Sequence, residues 1–358
     1  MSTSRIQITG ESNYEVLIGR AMLGEVAAAI GDKAQKVLIV HPVALSQSAE
    51  SLREQLIADG YEAILAGVPD TEEAKRVEVA AFCWQILGQA DFTRTDAVIG
   101  FGGGSTTDLA GFVAGTWLRG VPFIQIPTTL LGMVDAAIGG KTGINTAEGK
   151  NLVGVFHAPS AVIVDLDTLA TLPRNEVLAG FGEVVKYGFI EDQRILELIE
   201  QDVAKATDIS SEVFRDIVER CVRIKARVVS EDFKESGLRE ILNYGHTLGH
   251  AIEHNERYQW RHGAAISVGM MFVAELARLA GRLDDATVER HRSVLKLLGL
   301  PTTYGADQFD KLLGTMQRDK KSRAGQLRFV VLDAIAKPTI MNAPTPEMLH
   351  AAYQEIVE

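Results

Sequence analysis

REILNYGHTLGH, residues 239–250, is the stretch from which the rest of the chain is best interpreted. Four polar side chains recur in it at intervals of four, three and four residues: Arg239, Asn243, His246 and His250. On one α-helix this spacing places all four along a single stripe, while the apolar residues between them face elsewhere. We therefore predict a buried helix with a basic, metal-competent stripe. The alternative is a solvent-exposed helix face, but such a face would carry mainly Lys and Glu rather than His and Asn.

Two glycines in the same stretch, Gly245 and Gly249, lie four residues apart. In a helix interior each costs about 1 kcal/mol relative to Ala. This cost indicates that another segment packs very closely against the predicted helix.

The composition is typical of a soluble globular protein. The chain has 358 residues, which predicts two domains, and 46% hydrophobic against 23% charged residues supports a sizeable core. The net charge of −11 argues against nucleic-acid binding, so an anionic substrate needs a local basic pocket. With two cysteines, no apolar N-terminal leader and no run of about 20 apolar residues, we expect a cytoplasmic protein without disulfides or membrane spans.

Strand and helix patterns alternate up to about residue 175 and predict a parallel α/β sheet. From about Glu176 helical periods dominate, apart from a short strand or hairpin at Leu327–Asp333. We therefore place a domain boundary at residue 175, between an α/β domain and an all-α domain. The predicted strands are Arg5–Thr9, Tyr14–Ile18, Lys36–His41, Tyr61–Ala66, Asp96–Gly100, Pro122–Thr129 and Val162–Leu166, with helices at Ser46–Asp59 and from Asp70 to Leu87.

A glycine-rich run at 102–108, GGGSTTD, directly follows a predicted strand. Glycines there let the backbone approach a pyrophosphate, whose charge a helix N-terminus favours. The dinucleotide fingerprint is incomplete, because Ser105 replaces its third glycine and Gln125 stands near the place of the expected acid. A nucleotide site and a ligand-free turn both remain open. Asp135–Asn151, rich in glycine and lysine, is predicted to be a binding loop.

Glu183, His246 and His262 supply one carboxylate and two imidazoles, the ligand types of a catalytic zinc with one open position. The HExxH motif is absent, so a metal would bind between helices. Spacing alone does not decide whether it binds, and it leaves His250 open as ligand, acid–base group or core histidine. A nucleotide half beside a metal half favours hydride chemistry on a polyol that carries carboxylate and phosphate.

Five motifs, spread over nearly the whole chain, resemble the 3-dehydroquinate synthase family of sugar-phosphate cyclases. They are Gly102–Gly104 with Asp108, PTTLLGMVDAAIGGKTGIN at 127–145, GKNLVGVFHAP at 149–159, GEVVKYG at 182–188 and LNYGHTLGHAIE at 242–253. The resemblance implies an N-terminal Rossmann-like, NAD-binding α/β domain (1–175) and a C-terminal helical domain (176–358) for metal and substrate. It also implies an active site in the cleft between them and a homodimer.

Carried over by motif position, the resemblance implies three sets of site residues. The ligands of Zn²⁺ or Co²⁺ are Glu183, His246 and His262. NAD contacts are Asp70, Glu72, Glu73, Lys75, Gly102, Gly103, Gly104, Ser105, Thr106, Thr107, Asp108, Thr128, Thr129, Asp135, Lys141, Lys150, Thr168, Leu169 and Thr171. Substrate contacts are Asp135, Lys141, Asn151, Lys186, Lys225, Arg239, Asn243, His250, one of Lys320 and Lys321, and Arg119, which reaches the neighbouring subunit's phosphate site.

The implied reaction converts 3-deoxy-D-arabino-heptulosonate 7-phosphate into 3-dehydroquinate and phosphate in the shikimate pathway. It runs through transient oxidation by NAD, phosphate elimination, re-reduction, ring opening and an aldol closure, without net redox change. Three positions depart from the family pattern: no acid follows the strand that ends at His41–Pro42, Ser105–Thr107 replaces an apolar–Gly pairing, and Phe233 stands where an acid is frequent.

Three other functions are weighed against this one. A sister cyclase would act on another sugar phosphate, but such enzymes tend to change Lys225, Asn243, His250 or the Lys320–Lys321 pair. A metal- and NAD-dependent polyol dehydrogenase would have less need of so many phosphate-binding cations. A regulatory nucleotide-binding protein would not need the complete Glu183, His246 and His262 set.

Overall fold

The computed structural model describes residues 3–321 and 326–358, except for the side chains of residues 319–321. The chain forms two compact units: Met1–Leu172 with Lys225–Lys234, and Pro173–Ile224 with Glu235–Glu358. A single boundary at residue 175 misses the assignment of Lys225–Lys234 to the first unit. The sequence could not reveal it, because the helical pattern of residues 221–229 continues unbroken through residue 225.

The first unit contains a predominantly parallel sheet. In the described residues its strands lie in the order β1-β2-β9-β6-β5-β3-β4, with β1 antiparallel to β2 and the other pairs parallel. The strands of this unit are β1 Ser4–Ile8, β2 Tyr14–Gly19, β3 Lys36–Pro42, β4 Glu62–Val68, β5 Ala97–Gly102, β6 Phe123–Pro127, β7 Lys141–Thr146, β8 Gly149–Phe156 and β9 Ala161–Asp165. Its helices are α1 Glu25–Ile30, α2 Ser46–Ala58, α3 Val77–Gln89 and α4 Gly104–Thr116.

Strand β3 shows why the sheet is buried on both faces. Its side chains alternate: Leu38 and Val40 join a core with α3 and α4, while Val37 and Ile39 join a second core with α2. Continuous apolar runs are typical of parallel strands covered on both sides. The carboxyl ends of β3, β5 and β6 consequently lie at one edge, where ligands bind in open α/β sheets.

Two predictions for this unit are wrong in detail. The binding loop predicted at Asp135–Asn151 is largely a hairpin, in which β7 pairs antiparallel with β8. Its glycines hide the strand pattern but let the strands approach, since a Cβ at Gly154 would lie 2.3 Å from the Thr142 oxygen. The helix predicted from Asp70 to Leu87 is also broken, because Arg76 is extended between a 3₁₀ turn, Thr71–Lys75, and α3.

The second unit is helical, with one small hairpin. The apolar helix α10 is buried along nearly its whole length, as a helix that is hydrophobic on all faces requires. The hairpin of β10 and β11 confirms the strand predicted at Leu327–Asp333. The elements are α5 Arg174–Ile190, α6 Gln193–Gln201, α7 Val203–Thr207, α8 Glu212–Glu231 (whose residues from 225 belong to the first unit), α9 His246–Asn255, α10 His262–Leu279, α11 Asp285–Leu297, α12 Phe309–Lys321, α13 Pro346–Gln354, β10 Arg328–Ala334 and β11 Lys337–Asn342.

The single helix predicted for residues 239–250 is wrong. Leu238–Asn243 forms a 3₁₀ helix, Tyr244 leaves the helical region (φ −57°, ψ 120°) and Gly245 is left-handed (φ 80°). Helix α9 therefore begins at His246. His246 and His250 still share one face of α9, whereas Arg239 and Asn243 belong to a separate element.

The close packing predicted at Gly245 and Gly249 is confirmed, and the partner is α10. A Cβ at Gly249 would lie 2.6 Å from Ile266 Cδ1, and a Cβ at Gly269 of α10 would lie 1.9 Å from the Gly245 oxygen. Because these glycines lack a Cβ, α9 and α10 can approach until backbone contacts backbone.

We expect Gly269→Ala to destabilise the protein, because its new methyl group must push α10 away from Gly245. Overpacking of this kind costs about 1–3 kcal/mol. Gly314→Ala in α12 is the matched control: apart from its chain neighbours and the backbone of its own helix, no described atom lies within 4 Å of an added Cβ, and helix propensity favours Ala by about 1 kcal/mol. Unfolding in denaturant measures both free energies of unfolding. Gly269→Ala should lower this free energy, whereas Gly314→Ala should not, and equal free energies of unfolding for the two variants would contradict the packing argument.

Both cysteines, Cys83 and Cys221, are free and buried, and burial raises the pKa of the Cys83 thiol to about 12. No helix in the described part of the chain combines the length and apolarity needed to cross a membrane.

Candidate metal and nucleotide sites

Three helices of the second unit bring Glu183, His246 and His262 together. Glu183 lies inside α5, while the two histidines are the first residues of α9 and α10. The Nε2 atoms of His246 and His262 lie 3.3 and 3.1 Å from Glu183 Oε1. One ligand atom from each residue lies within 4.8 Å of the others. The three predicted ligands therefore converge from different helices, as their spacing required; that they bind a metal stays a prediction.

The other ring nitrogens of the two histidines are already engaged. His246 Nδ1 lies 3.1 Å from the Tyr244 carbonyl oxygen, to which it can only donate. His262 Nδ1 lies 3.2 Å from Glu253 Oε2. Both rings therefore present Nε2 toward Glu183, and neutral Nε2 is a ligand atom that Zn²⁺ and Co²⁺ accept. The donor set fits a divalent cation with an open position.

Charge within the cluster favours an ionised carboxylate. Burial alone would raise the pKa of Glu183, but Lys186 and His246 outweigh it and hold that pKa well below its usual range. Burial would likewise lower the pKa of His262, but hydrogen bonds with Glu183 and Glu253 raise it to about 10. Lys186, one helical turn after Glu183, forms an ion pair with it.

His250 lies at the edge of this cluster. Its side chain is exposed, and its ring centroid lies 5.2 Å from that of His246 and 6.0 Å from that of His262. The exposure excludes the core-histidine interpretation that the sequence left open. With Glu253 and His262 it forms a second group of metal-competent atoms.

A buried chain of hydrogen bonds leads to His246, and sequence reasoning missed it. His291 of α11 stacks on Phe189 with ring centroids 3.4 Å apart, and its Nδ1 lies 2.8 Å from the Thr287 carbonyl oxygen. Its Nε2 therefore accepts from the Tyr244 hydroxyl at 2.9 Å. Tyr244, held in this way, supplies the carbonyl that orients His246. A lone histidine in an amphipathic helix gave no signal of this role.

His291 should make the protein less stable as the pH falls. Burial lowers the pKa of His291 to about 3, whereas the unfolded chain titrates near pH 6.5. Between these values only the unfolded state takes up a proton, so the free energy of unfolding falls by up to about 1.4 kcal/mol per pH unit below pH 6.5. Denaturant unfolding from pH 7 to 5 should give a shallower slope for His291→Gln than for the unaltered chain. Parallel slopes would assign the acid sensitivity to other groups.

The predicted pyrophosphate turn lies at the carboxyl edge of the sheet in the first unit. Gly103 caps α4, which begins at Gly104. A Cβ at Gly102 would lie 2.7 Å from Thr106 Oγ1 and 2.9 Å from Pro42 Cδ. The turn therefore requires glycine for its own packing, and it presents a helix N-terminus of the kind that binds phosphate.

Predicted ligand residues from three segments meet beside this turn. Lys75, only 2% exposed, contacts both Asp108 and Asn151. Glu72 accepts from Asn145 Nδ2 at 2.7 Å and pairs with Lys150 at 3.3 Å. These contacts anchor the turn of the β7–β8 hairpin to the 3₁₀ turn before α3.

Lys225 and Asp135, ninety positions apart, form an ion pair at 2.6 Å within the first unit. Lys225 is buried and Asp135 lies in the π-helical turn Gly132–Ala136. The resemblance implied both residues as substrate contacts, but spacing along the chain gave no sign that they meet, because Lys225 lies in a later segment, Lys225–Lys234, that belongs to the first unit.

The other proposed residues occupy several places. Thr128 and Thr129 follow β6 and Ser105–Thr107 lie in the first turn of α4, while Thr168, Leu169 and Thr171 lie in the 3₁₀ helix Leu166–Thr171 after β9. Lys141 begins β7 and is exposed, as are Asp70 and Glu73. In the second unit Arg239 is buried and Asn243 donates to Glu235 at 2.8 Å. Arg119 is exposed with φ 68°, and the side chains of Lys320 and Lys321 lie outside the described residues.

The departures from the family pattern also have structural consequences. His41 is buried, and its Nδ1 lies 3.0 Å from the Pro42 carbonyl oxygen. Phe233 packs on Phe156 with ring centroids 5.9 Å apart. Both positions are therefore held by internal contacts of the first unit.

Two family models match adjoining parts of the chain: 3-dehydroquinate synthase N-terminal at residues 65–179 and 3-dehydroquinate synthase C-terminal at 180–322. A 3-dehydroquinate synthase from Pseudarthrobacter chlorophenolicus is 61% identical over 358 residues, covering 99% of both chains.

Two solved structures share the fold. A 2-epi-5-epi-valiolone synthase from Streptomyces hygroscopicus subsp. jinggangensis, with NAD⁺ and Zn²⁺ bound, has a TM-score of 0.90 and 27% identity over 99% of each chain. A 2-deoxy-scyllo-inosose synthase complexed with carbaglucose-6-phosphate, NAD⁺ and Co²⁺ has a TM-score of 0.89 and 25% identity, covering 99% of this chain and 100% of that one. The predicted fold class, a parallel-sheet α/β domain with a helical domain, is confirmed.

Proposed function

The chain belongs to the 3-dehydroquinate synthase family, and on that premise we propose that it converts 3-deoxy-D-arabino-heptulosonate 7-phosphate into 3-dehydroquinate and inorganic phosphate. The observation that carries the proposal is the 61% identity to a named 3-dehydroquinate synthase over the whole chain. The sister cyclases share the fold at only 25–27% identity. The reaction is a phosphate-eliminating carbon–oxygen lyase step within a redox-neutral cycle.

We propose NAD⁺ and Zn²⁺, or Co²⁺, as the cofactors. The donor set of Glu183, His246 and His262 fits such a cation, and the glycine turn before α4 fits a pyrophosphate. When bound, NAD⁺ accepts and later returns one hydride at a substrate carbinol carbon, while the cation polarises the oxygen on that carbon.

The residues of this chain supply mainly binding, orientation and charge. In the second unit, Arg239 and Asn243 are proposed to bind substrate oxygen atoms, and Lys186, buried against Glu183, supplies a fixed ammonium group. His250, exposed beside the cluster, binds phosphate or carries a proton. No dedicated base of the protease type stands in the motif, so we propose that the departing substrate phosphate takes the C6 proton itself.

In the first unit, Lys225 is proposed to bind the substrate carboxylate. Its pairing with Asp135 at 2.6 Å keeps the buried ammonium neutralised and oriented before substrate binds. The β7–β8 hairpin contains Lys141, Lys150 and Asn151. Contacts with Glu72 and Lys75 hold this hairpin in place.

We also propose a homodimer in which Arg119 reaches the phosphate site of the second copy. Arg119 is exposed and held in a left-handed backbone conformation, which is uncommon for a side chain of its size. The same unit exposes large apolar side chains at Leu118, Leu152, Val153 and Phe156, as an interface would.

The deciding experiment follows phosphate release from 3-deoxy-D-arabino-heptulosonate 7-phosphate with catalytic NAD⁺ and Zn²⁺ while the absorbance of NADH is recorded. We expect one phosphate per substrate and no accumulation of NADH. NADH accumulating on a plain polyol would instead identify a dehydrogenase. Turnover of other sugar phosphates alone would identify a sister cyclase.

A further inference from the structure

Both ring nitrogens of His262 contact carboxylate groups. Nε2 lies 3.1 Å from Glu183 Oε1, and Nδ1 lies 3.2 Å from Glu253 Oε2. The Glu253 side chain is only 5% exposed, so its carboxylate is withdrawn from water and must be compensated by partners in the protein. The imidazole of His262 therefore lies between two carboxylates, Glu183 on one side and Glu253 on the other.

We propose that Glu253 is a positioning residue that selects Nε2 of His262 as the metal-binding atom. A carboxylate that accepts from Nδ1–H fixes the tautomer and the plane of the ring, and it increases the basicity of the nitrogen that faces the cation. The proposal rests on the proposed metal site and adds the residue that orients one of its ligands.

The fold explains why Glu253 can do this. Glu253 follows His246 by seven residues on α9, two helical turns, so both side chains lie on the same face of that helix. Helix α9 thus supplies one ligand directly and the orienting group for the other. The distance between Glu253 and His262 depends on the close approach of α9 to α10, which Gly249 and Gly269 permit.

A second cation held by His250, Glu253 and His262 is the competing explanation, because ligand atoms of these residues also lie within 4.8 Å of one another. Serving both groups would require His262 to lose a second proton and bridge two cations as an imidazolate. A hydrogen bond from His262 Nδ1–H to Glu253 needs no second deprotonation, and it gives the buried carboxylate a hydrogen-bond donor.

The test compares metal affinity in full-length Glu253→Gln and Glu253→Ala with that of the unaltered chain, by competition of Zn²⁺ against a chromophoric chelator. We expect a loss of about tenfold for Gln, which keeps a neutral acceptor, and about a hundredfold for Ala. The visible absorption bands of bound Co²⁺ should shift in both variants, since the ring orientation changes. Glu275→Gln is the matched control: Glu275 is equally buried, pairs with Arg278 and Arg292, and lies outside both metal-competent groups.

The outcomes separate this inference from the proposed function. Unchanged affinity and unchanged Co²⁺ bands in both Glu253 variants would overturn the positioning role while leaving the metal site intact. Binding of two ions by the unaltered chain, with one lost in Glu253→Gln, would establish the bridged pair instead. Absence of Zn²⁺ binding by the unaltered chain would overturn the metal site itself.

Discussion

His262→Ala should lower kcat by about a thousandfold or more, because the loss of Lewis-acid stabilisation worth several kcal/mol corresponds to that factor. The variant removes one of the three convergent donor atoms and leaves Glu183 and Glu253 without their shared imidazole. Its bound Zn²⁺ should fall far below one ion per chain. Because the His262 side chain is 24% exposed, water can enter and limit the loss of stability to about 1–3 kcal/mol.

Metal content by elemental analysis, turnover and thermal unfolding measure the three effects together. His254→Ala is the matched control, since His254 lies exposed on α9 near Tyr258, outside both metal-competent groups of the described residues. It should retain metal and activity. Normal zinc content and turnover in His262→Ala would contradict the assignment of this cluster as the metal site.

Arg119→Ala should lower kcat/KM by about a hundredfold, the usual cost of truncating one partner of a buried, charge-assisted contact. Folding should be nearly unaffected, because Arg119 is exposed in the single chain. Arg5→Ala provides a control on the same unit, since Arg5 pairs only with the surface carboxylates Glu15 and Glu25 among its described contacts.

Mixed dimers distinguish action in trans from action within one chain. Arg119→Ala and His262→Ala chains carrying different affinity tags are co-expressed, and the heterodimer is isolated. If Arg119 serves the neighbouring copy, one of the two sites is complete, and about half of the unaltered activity should return. An inactive heterodimer would place the action of Arg119 in its own subunit, whereas unchanged kcat/KM in Arg119→Ala alone would exclude Arg119 from the reaction. A monomer in solution would exclude the dimer.

Much of the fold was accessible from the sequence because it follows from local pattern. The buried runs of β3 and β5, the helix at Ser46–Ala58 and the hairpin after residue 327 were predicted nearly to the residue. The three proposed metal ligands were also recognisable by type, since His and Glu in otherwise apolar helices are uncommon without a purpose.

Prediction failed where local pattern and tertiary contact disagree. The spacing from Arg239 to His250 suits one helix, yet the left-handed Gly245 ends one element and starts another. The glycines of the β7–β8 hairpin resemble a loop in sequence but permit strand contact in space. Glu253 lies within the motif at 242–253, but spacing within α9 does not mark it as a site residue, because its contact is with His262 of another helix.

The sequence by itself determined which segments become the strands of the large sheet and most of the helices that cover it. It also determined where a glycine turn meets a helix N-terminus, and which side chains are of a type that can bind a metal. These properties depend on residue type and on spacing within one segment. Only the tertiary structure decided that Lys225 contacts Asp135, that Glu253 contacts His262 and that His291 contacts Tyr244. Each of those contacts joins residues of different segments, and its distance is fixed by how closely the segments pack.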